Sequence, residues 1–131
     1  MAQTLPTSEV LHLAADEVQR RGWTVGNSGW MGAGWAGPVC IEGAIDAALG
    51  GVRDTDPHAF WTCPAYRAVA AYLGVVGIGG PRRSLWWWND AYDEDGRYIR
   101  TAAEVIEVLR ATAAIEASRE DAALLAEIGR A

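Results

Sequence analysis

Apolar positions recur along this chain three and four residues apart over several stretches, the period of an amphipathic helix. From Thr7 to Arg21 the stripe is Leu11, Ala14, Ala15 and Val18. Thr7 or Thr4 can cap this first helix, Glu9 suits its first turn, and Gly22 stops it after two arginines. A second helix is predicted over 39–49, with Pro38 before it and Gly50-Gly51 after it. Its periodic residues are small (Cys40, Gly43, Ala44, Ala47 and Ala48), so another helix can approach that face closely. A third runs from Cys63-Pro64 to Leu73 with Tyr66, Val69, Ala70 and Leu73 inward and Gly74 as its stop. Pro64 fits its first turn, where no backbone bond is lost.

The second half is less regular. Val75 to Ile78 reads as an extended piece or a helix end, and Gly79-Gly80-Pro81 as a break. Thr101-Ala102-Ala103-Glu104 is a capping box opening a helix whose inner face is Val105, Ile106, Leu109, Thr112 and Ala113. The polar run from Glu116 to Asp121 interrupts that stripe, and Ser118 with Asp121 repeats the capping pattern. A separate short final helix bearing Leu124, Leu125 and Ile128 is therefore predicted. The expected fold is mainly α: a single compact domain over 1–131 with four to five helices and at most a short β-hairpin. A C-terminal helical extension is expected over 113–131.

Between the periodic segments the chain is rich in glycine and tryptophan. Residues 22–38 hold Gly22, Gly26, Gly29, Gly32, Gly34 and Gly37 with Trp23, Trp30 and Trp35. Such a segment keeps one shape only if its tryptophans are buried or bound. Gly32-Ala33-Gly34 follows no strand and is not a dinucleotide fingerprint. The run Trp86-Trp87-Trp88 cannot turn all three rings to one core, whether helical or extended, so at least one is expected to be exposed. Asp93-Glu94-Asp95-Gly96 imitates the middle of a calcium loop, but the first and twelfth ligand positions would be Ala91 and Ala102, so an acidic turn is the better reading.

Charge narrows the choice of partners. The formal net charge is −6, every basic residue is arginine, and the pairs Arg20-Arg21 and Arg82-Arg83 grow into no patch, so neither nucleic acid nor an anionic membrane is expected. No apolar run approaches the roughly 20 residues that span a bilayer. Met1 to Pro6 has no basic stretch followed by an apolar one, so a secretion signal is not expected. Cys40 and Cys63 are then reduced thiols of a cytoplasm. His12 has no second ligand at metal spacing, and neither a metal nor a cofactor is expected.

Four patches stand out: Gly22-Trp23, Cys40-Ile41-Glu42-Gly43-Ala44, Trp88-Asn89-Asp90, and Thr101 to Val105. With this pattern the chain resembles a family of small uncharacterised proteins from actinobacteria and their phages, a domain of unknown function. The likeness covers about residues 7 to 112. It implies a small cellular or phage-borne protein and brings no activity with it.

Three functional readings follow from the residues. In the first, the protein is an accessory module that grips a protein partner through exposed aromatic surface, with Trp30, Trp35, Trp86, Trp87 and Tyr92 as candidate binding residues. A homodimer through Leu124, Leu125 and Ile128 is the simplest cover for the last apolar stripe, and a different partner could dock on Trp86–Trp88. The alternative is a cysteine hydrolase or transferase. Cys40 lies at a helix start, which favours a thiolate, His58 follows, and Asn89 or Asp90 could orient the histidine. The third is a small-ligand site against the aromatics with Asp90, Asp93 and Asp95 on its rim; nothing selects the ligand. Against these stands the packing reading: Cys40 fills a small-residue face, Trp23 and Trp88 belong to the core, and Asn89 and Asp90 bond backbone groups. On that reading Asn89 and Asp90 fix the connection from the aromatic run to the acidic turn.

Overall fold

The computed structural model describes residues 5–26, 36–50, 63–75 and 80–130. They form five helices: α1 (Thr7–Arg21), α2 (Ile41–Ala48), α3 (Pro64–Leu73), α4 (Gly80–Asn89) and α5 (Ala102–Gly129). The mainly α expectation is met. Among the described residues the only β pairing is two isolated bridges, Trp23 with Val39 and Tyr92 with Tyr98.

The interior is built where the periodic stripes meet. Val10, Leu11, Ala14, Ala15 and Val18 of α1 pack with Ile41, Ala44 and Ile45 of α2, Ala65, Tyr66 and Val69 of α3, Leu85 of α4, and Val105, Val108, Leu109 and Ala113 of α5. α1 and α5 run antiparallel, with Ser8 beside Glu120 at one end and Arg110 beside Asp16 and Gln19 further along. Tyr66 is the only aromatic buried among the described residues, while Trp23 and Trp88 pack half-buried against this cluster.

Several boundaries differ from the sequence expectation. The N-cap residue of α1 is Pro6, and Glu120 of α5 takes bonds from the Ser8 N–H and hydroxyl. Thr4 lies outside the described residues. α2 begins at Ile41 rather than Val39, because Cys40 is extended and its sulfur accepts the Gly43 N–H, 3.3 Å. Gly80-Pro81 opens α4 rather than breaking the chain, which places the whole tryptophan run on a helix. Thr101 does cap α5, accepting the Glu104 N–H at 3.2 Å, but Glu104 turns to Arg100 instead of completing the box. Val108 is buried where Ile106 was expected; Ile106 only flanks the core.

The largest correction is α5 itself, which continues unbroken through 116–121 to Gly129. The polar residues there are used within the helix and across to α1. Glu116 pairs with Arg119, Glu120 reaches Ser8, and the alanines around them are strong helix formers. The apparent second cap is thus outcompeted, and no separate final helix exists.

Candidate functional site

The side chains that could carry function gather around α4, which has an inner and an outer face. The inner face starts from the Gly22-Trp23 joint. Gly22 has φ +90°, a left-handed conformation that disfavours any side chain, and it turns the chain out of α1. From there Val39 N–H bonds the Gly22 carbonyl at 2.9 Å and Thr24 N–H bonds the Val39 carbonyl at 3.0 Å. Trp23 and the start of α2 are thereby brought against the end of α4.

Asn89 closes this junction. It is fully buried. Its Oδ1 accepts from the Trp23 indole N–H at 2.8 Å and from the Ile41 N–H at 3.0 Å. Its Nδ2 donates to the Thr24 carbonyl at 3.2 Å and to Asp90 Oδ1 at 2.9 Å. An amide side chain has two acceptor sites and two donors, so its capacity is used in full. Asp90 accepts in addition from the Gly26 N–H at 2.9 Å and from the Trp86 indole at 2.7 Å. The pair therefore staples the 23–26 segment and the α2 start to α4. It does more than the expected link to the acidic turn, which Asp93 organises by itself through the N–H groups of Asp95 and Arg97.

A second polar cluster lies further along the α2–α4 contact. Arg82 donates to Glu42 Oε2 through Nε and to Asp46 Oδ2 through Nη2, each at 2.8 Å, with Tyr66 5.6 Å from its guanidinium carbon. Glu42 and Arg82 are both buried. Glu42 Oε1 is buried with no hydrogen-bond partner. Burial pushes the Glu42 carboxyl up to about 7, with Asp46 and Asp90 adding to the rise, and the Arg82 bond only partly offsets it. Sequence reading missed this cluster. The signal was two acids at i and i+4 in an otherwise small and apolar helix, which need a cation once that face is covered.

The outer face of α4 presents Trp87, 49% exposed, with the Arg83 guanidinium stacked 5.1 Å from its ring. Trp86 and Trp88 are half-buried, the latter under Arg100 at 4.3 Å. The segment after α4 then doubles back. Asp93 N–H bonds the Arg97 carbonyl at 2.8 Å and Ile99 N–H bonds Ala91 at 3.1 Å. These flanking bonds make Tyr92 and Tyr98 the non-hydrogen-bonded pair, the arrangement in which opposed side chains lie closest. Both are exposed, Tyr92 at 70% and Tyr98 at 55%, and Ile99 beside them is exposed as well.

Of the candidate binding residues, then, Trp86, Trp87 and Tyr92 fall on one stretch of chain, while Trp30 and Trp35 lie outside the described residues. Tyr98 was not among the candidate binding residues. Of the candidate catalytic residues, Cys40 is buried and caps α2, Asn89 is saturated, and His58 lies outside the described residues. Cys40 and Cys63 form no disulfide. No group of His, Cys, Asp and Glu among the described residues could hold a metal ion, and no described helix is long and apolar enough to cross a membrane.

A family model described as a family of unknown function (DUF6197) matches residues 2–115, and the chain belongs to that family. Comparison with curated proteins and with solved structures finds no match to either.

Proposed function

We propose that this member of the family is a small accessory protein that acts by gripping a protein partner through its exposed aromatics, the Tyr92–Tyr98 edge together with Trp87 on the outer face of α4. The observation that carries the reading is the paired tyrosines. Two large amphipathic side chains stand exposed and adjacent on a turn that Asp93 and the bridge bonds hold in one shape. Aromatic anchors that need little ordering on binding are what interface hot spots use. The acidic turn between them, Asp93 to Asp95, gives the edge a negative rim that suits a partner with basic residues. On the motif likeness, the setting is the cytoplasm of an actinobacterium or of a phage-infected host.

Affinity capture with the full chain, compared with a Tyr92→Ala/Tyr98→Ala variant of equal melting temperature, tests the reading. A species retained by the parent and lost by the variant is expected. Identical retention would remove the aromatic edge from the function.

A further inference from the structure

α5 carries two apolar stripes on different sides. Val105, Val108, Leu109, Thr112 and Ala113 are buried against the bundle, and beyond Ala113 no residue of the helix is buried. Leu124, Leu125 and Ile128 are 56%, 68% and 61% exposed. At 100° per residue their common direction is turned about 140° from that of the buried set, so the second stripe does not continue the core. It also lies past residue 115, where the family match ends. About 24 Å of helix, residues 114–129, thus presents its own apolar face.

Charge identifies what covers it. Asp121 sits within the stripe, one turn before Leu124 and Leu125, and Glu127 lies along one edge. The arginines of this half, Arg119 and Arg130, point to the opposite side at the same angular spacing, and Arg119 pairs there with Glu116. A second copy would set these acids against their equals on another chain of charge −6. The homodimer expected from the sequence is therefore disfavoured. A helix with apolar residues at i, i+3 and i+4 flanked by Lys or Arg meets both the stripe and its acids. We propose that the outward face of α5, Leu124, Leu125 and Ile128 with Asp121 and Glu127, docks a basic amphipathic helix of a partner protein. This surface is independent of the aromatic edge.

A fluorescent synthetic peptide of Leu and Lys in amphipathic order, about four turns long, serves as the probe against the full chain. Its counterpart with Glu for Lys is the control. Anisotropy near 0.1 M salt, where surface charge still acts over about 10 Å, should show binding of the Lys peptide only. Leu124→Ser/Ile128→Ser and Asp121→Asn/Glu127→Gln should each weaken it about tenfold or more. Both variants should melt with the parent, since the residues touch nothing in the core. Equal binding by parent and variants, absence of binding by the parent, or a parent dimer that Leu124→Ser/Ile128→Ser converts to monomer would overturn the proposal.

Discussion

The two polar clusters between α2 and α4 are built from similar parts and behave as opposites. Around Asn89 every donor meets an acceptor: two N–H groups reach its oxygen, and its own two N–H groups reach Thr24 and Asp90. Around Glu42 the charges pair with Arg82, yet one carboxylate oxygen faces the interior with nothing to bond. A saturated buried network fixes one geometry, whereas a partly satisfied one leaves a cost that a proton can relieve. The Asn89 junction is thus the rigid joint of the molecule, and the Glu42 cluster is the place where its stability depends on solution conditions.

The sharpest way to break the comparison is Asn89→Ala. It strands the Ile41 N–H and the Trp23 indole and removes two further bonds, so a loss of about 3 to 5 kcal/mol is expected. Denaturant unfolding measures it. A loss under about 1 kcal/mol would mean that water replaces the amide and that the joint is not rigid.

Glu42→Gln probes the other cluster through pH. The folded-state carboxyl is raised to about 7 from an ordinary 4.5, so the folded protein holds the proton more tightly than the unfolded chain. The parent should therefore lose stability as pH rises from about 4.5 through about 7 and level off above, by at most roughly 3 kcal/mol at 1.36 kcal/mol per pH unit. In Glu42→Gln that fall should vanish. Other carboxylates titrate in the same range, so the difference between parent and variant is the quantity to follow. Parallel stability–pH curves would show that Arg82 already neutralises the buried carboxylate.

Cys40 extends the comparison to the helix start between the two clusters. Its thiol caps α2 by accepting the Gly43 N–H and is fully buried. Cys40→Ala should cost about 1 kcal/mol, the worth of a cap. Alkylation of Cys40 in the native protein should proceed only as fast as the protein opens. Rapid labelling under native conditions would instead expose the thiol and revive the hydrolase reading.

What could be read from the sequence followed from local signals. α1 from its stripe to Gly22, α3 from Pro64 to Gly74, and the Thr101 cap all rest on residues close in the chain. Competition at a distance hid the rest. Ser118 and Asp121 looked like a new cap because Glu120 gave no sign that it would cap α1, 112 residues away. Glu42 and Arg82 drew no pairing from the sequence because no spacing links them, and only the folded α2–α4 contact brings them together across 40 residues. Asn89 was read as a backbone-bonding residue from its type, but its partners Trp23, Thr24 and Ile41 follow from no spacing. For the aromatic run, the argument that three neighbours cannot share one face required an exposed ring without saying which one.

Trp86 and Trp87 carry the same contrast at the smallest scale, in adjacent residues. The Trp86 indole N–H donates to Asp90 Oδ2, so it belongs to the saturated joint. Trp86→Phe keeps most of the ring and removes a bond to a carboxylate, a loss of about 1.5 kcal/mol. Trp87 is half exposed with the Arg83 guanidinium over its ring, and Trp87→Ala should change stability by no more than about 0.5 kcal/mol. Parallel denaturant titrations of the two variants measure the gap. If Trp87→Ala costs as much as Trp86→Phe, its ring is needed to hold α4 in place, and the exposed aromatics lose that anchor for partner binding. If Trp87→Ala is silent in stability while capture of the partner falls, exposure and function separate from structure at that single side chain.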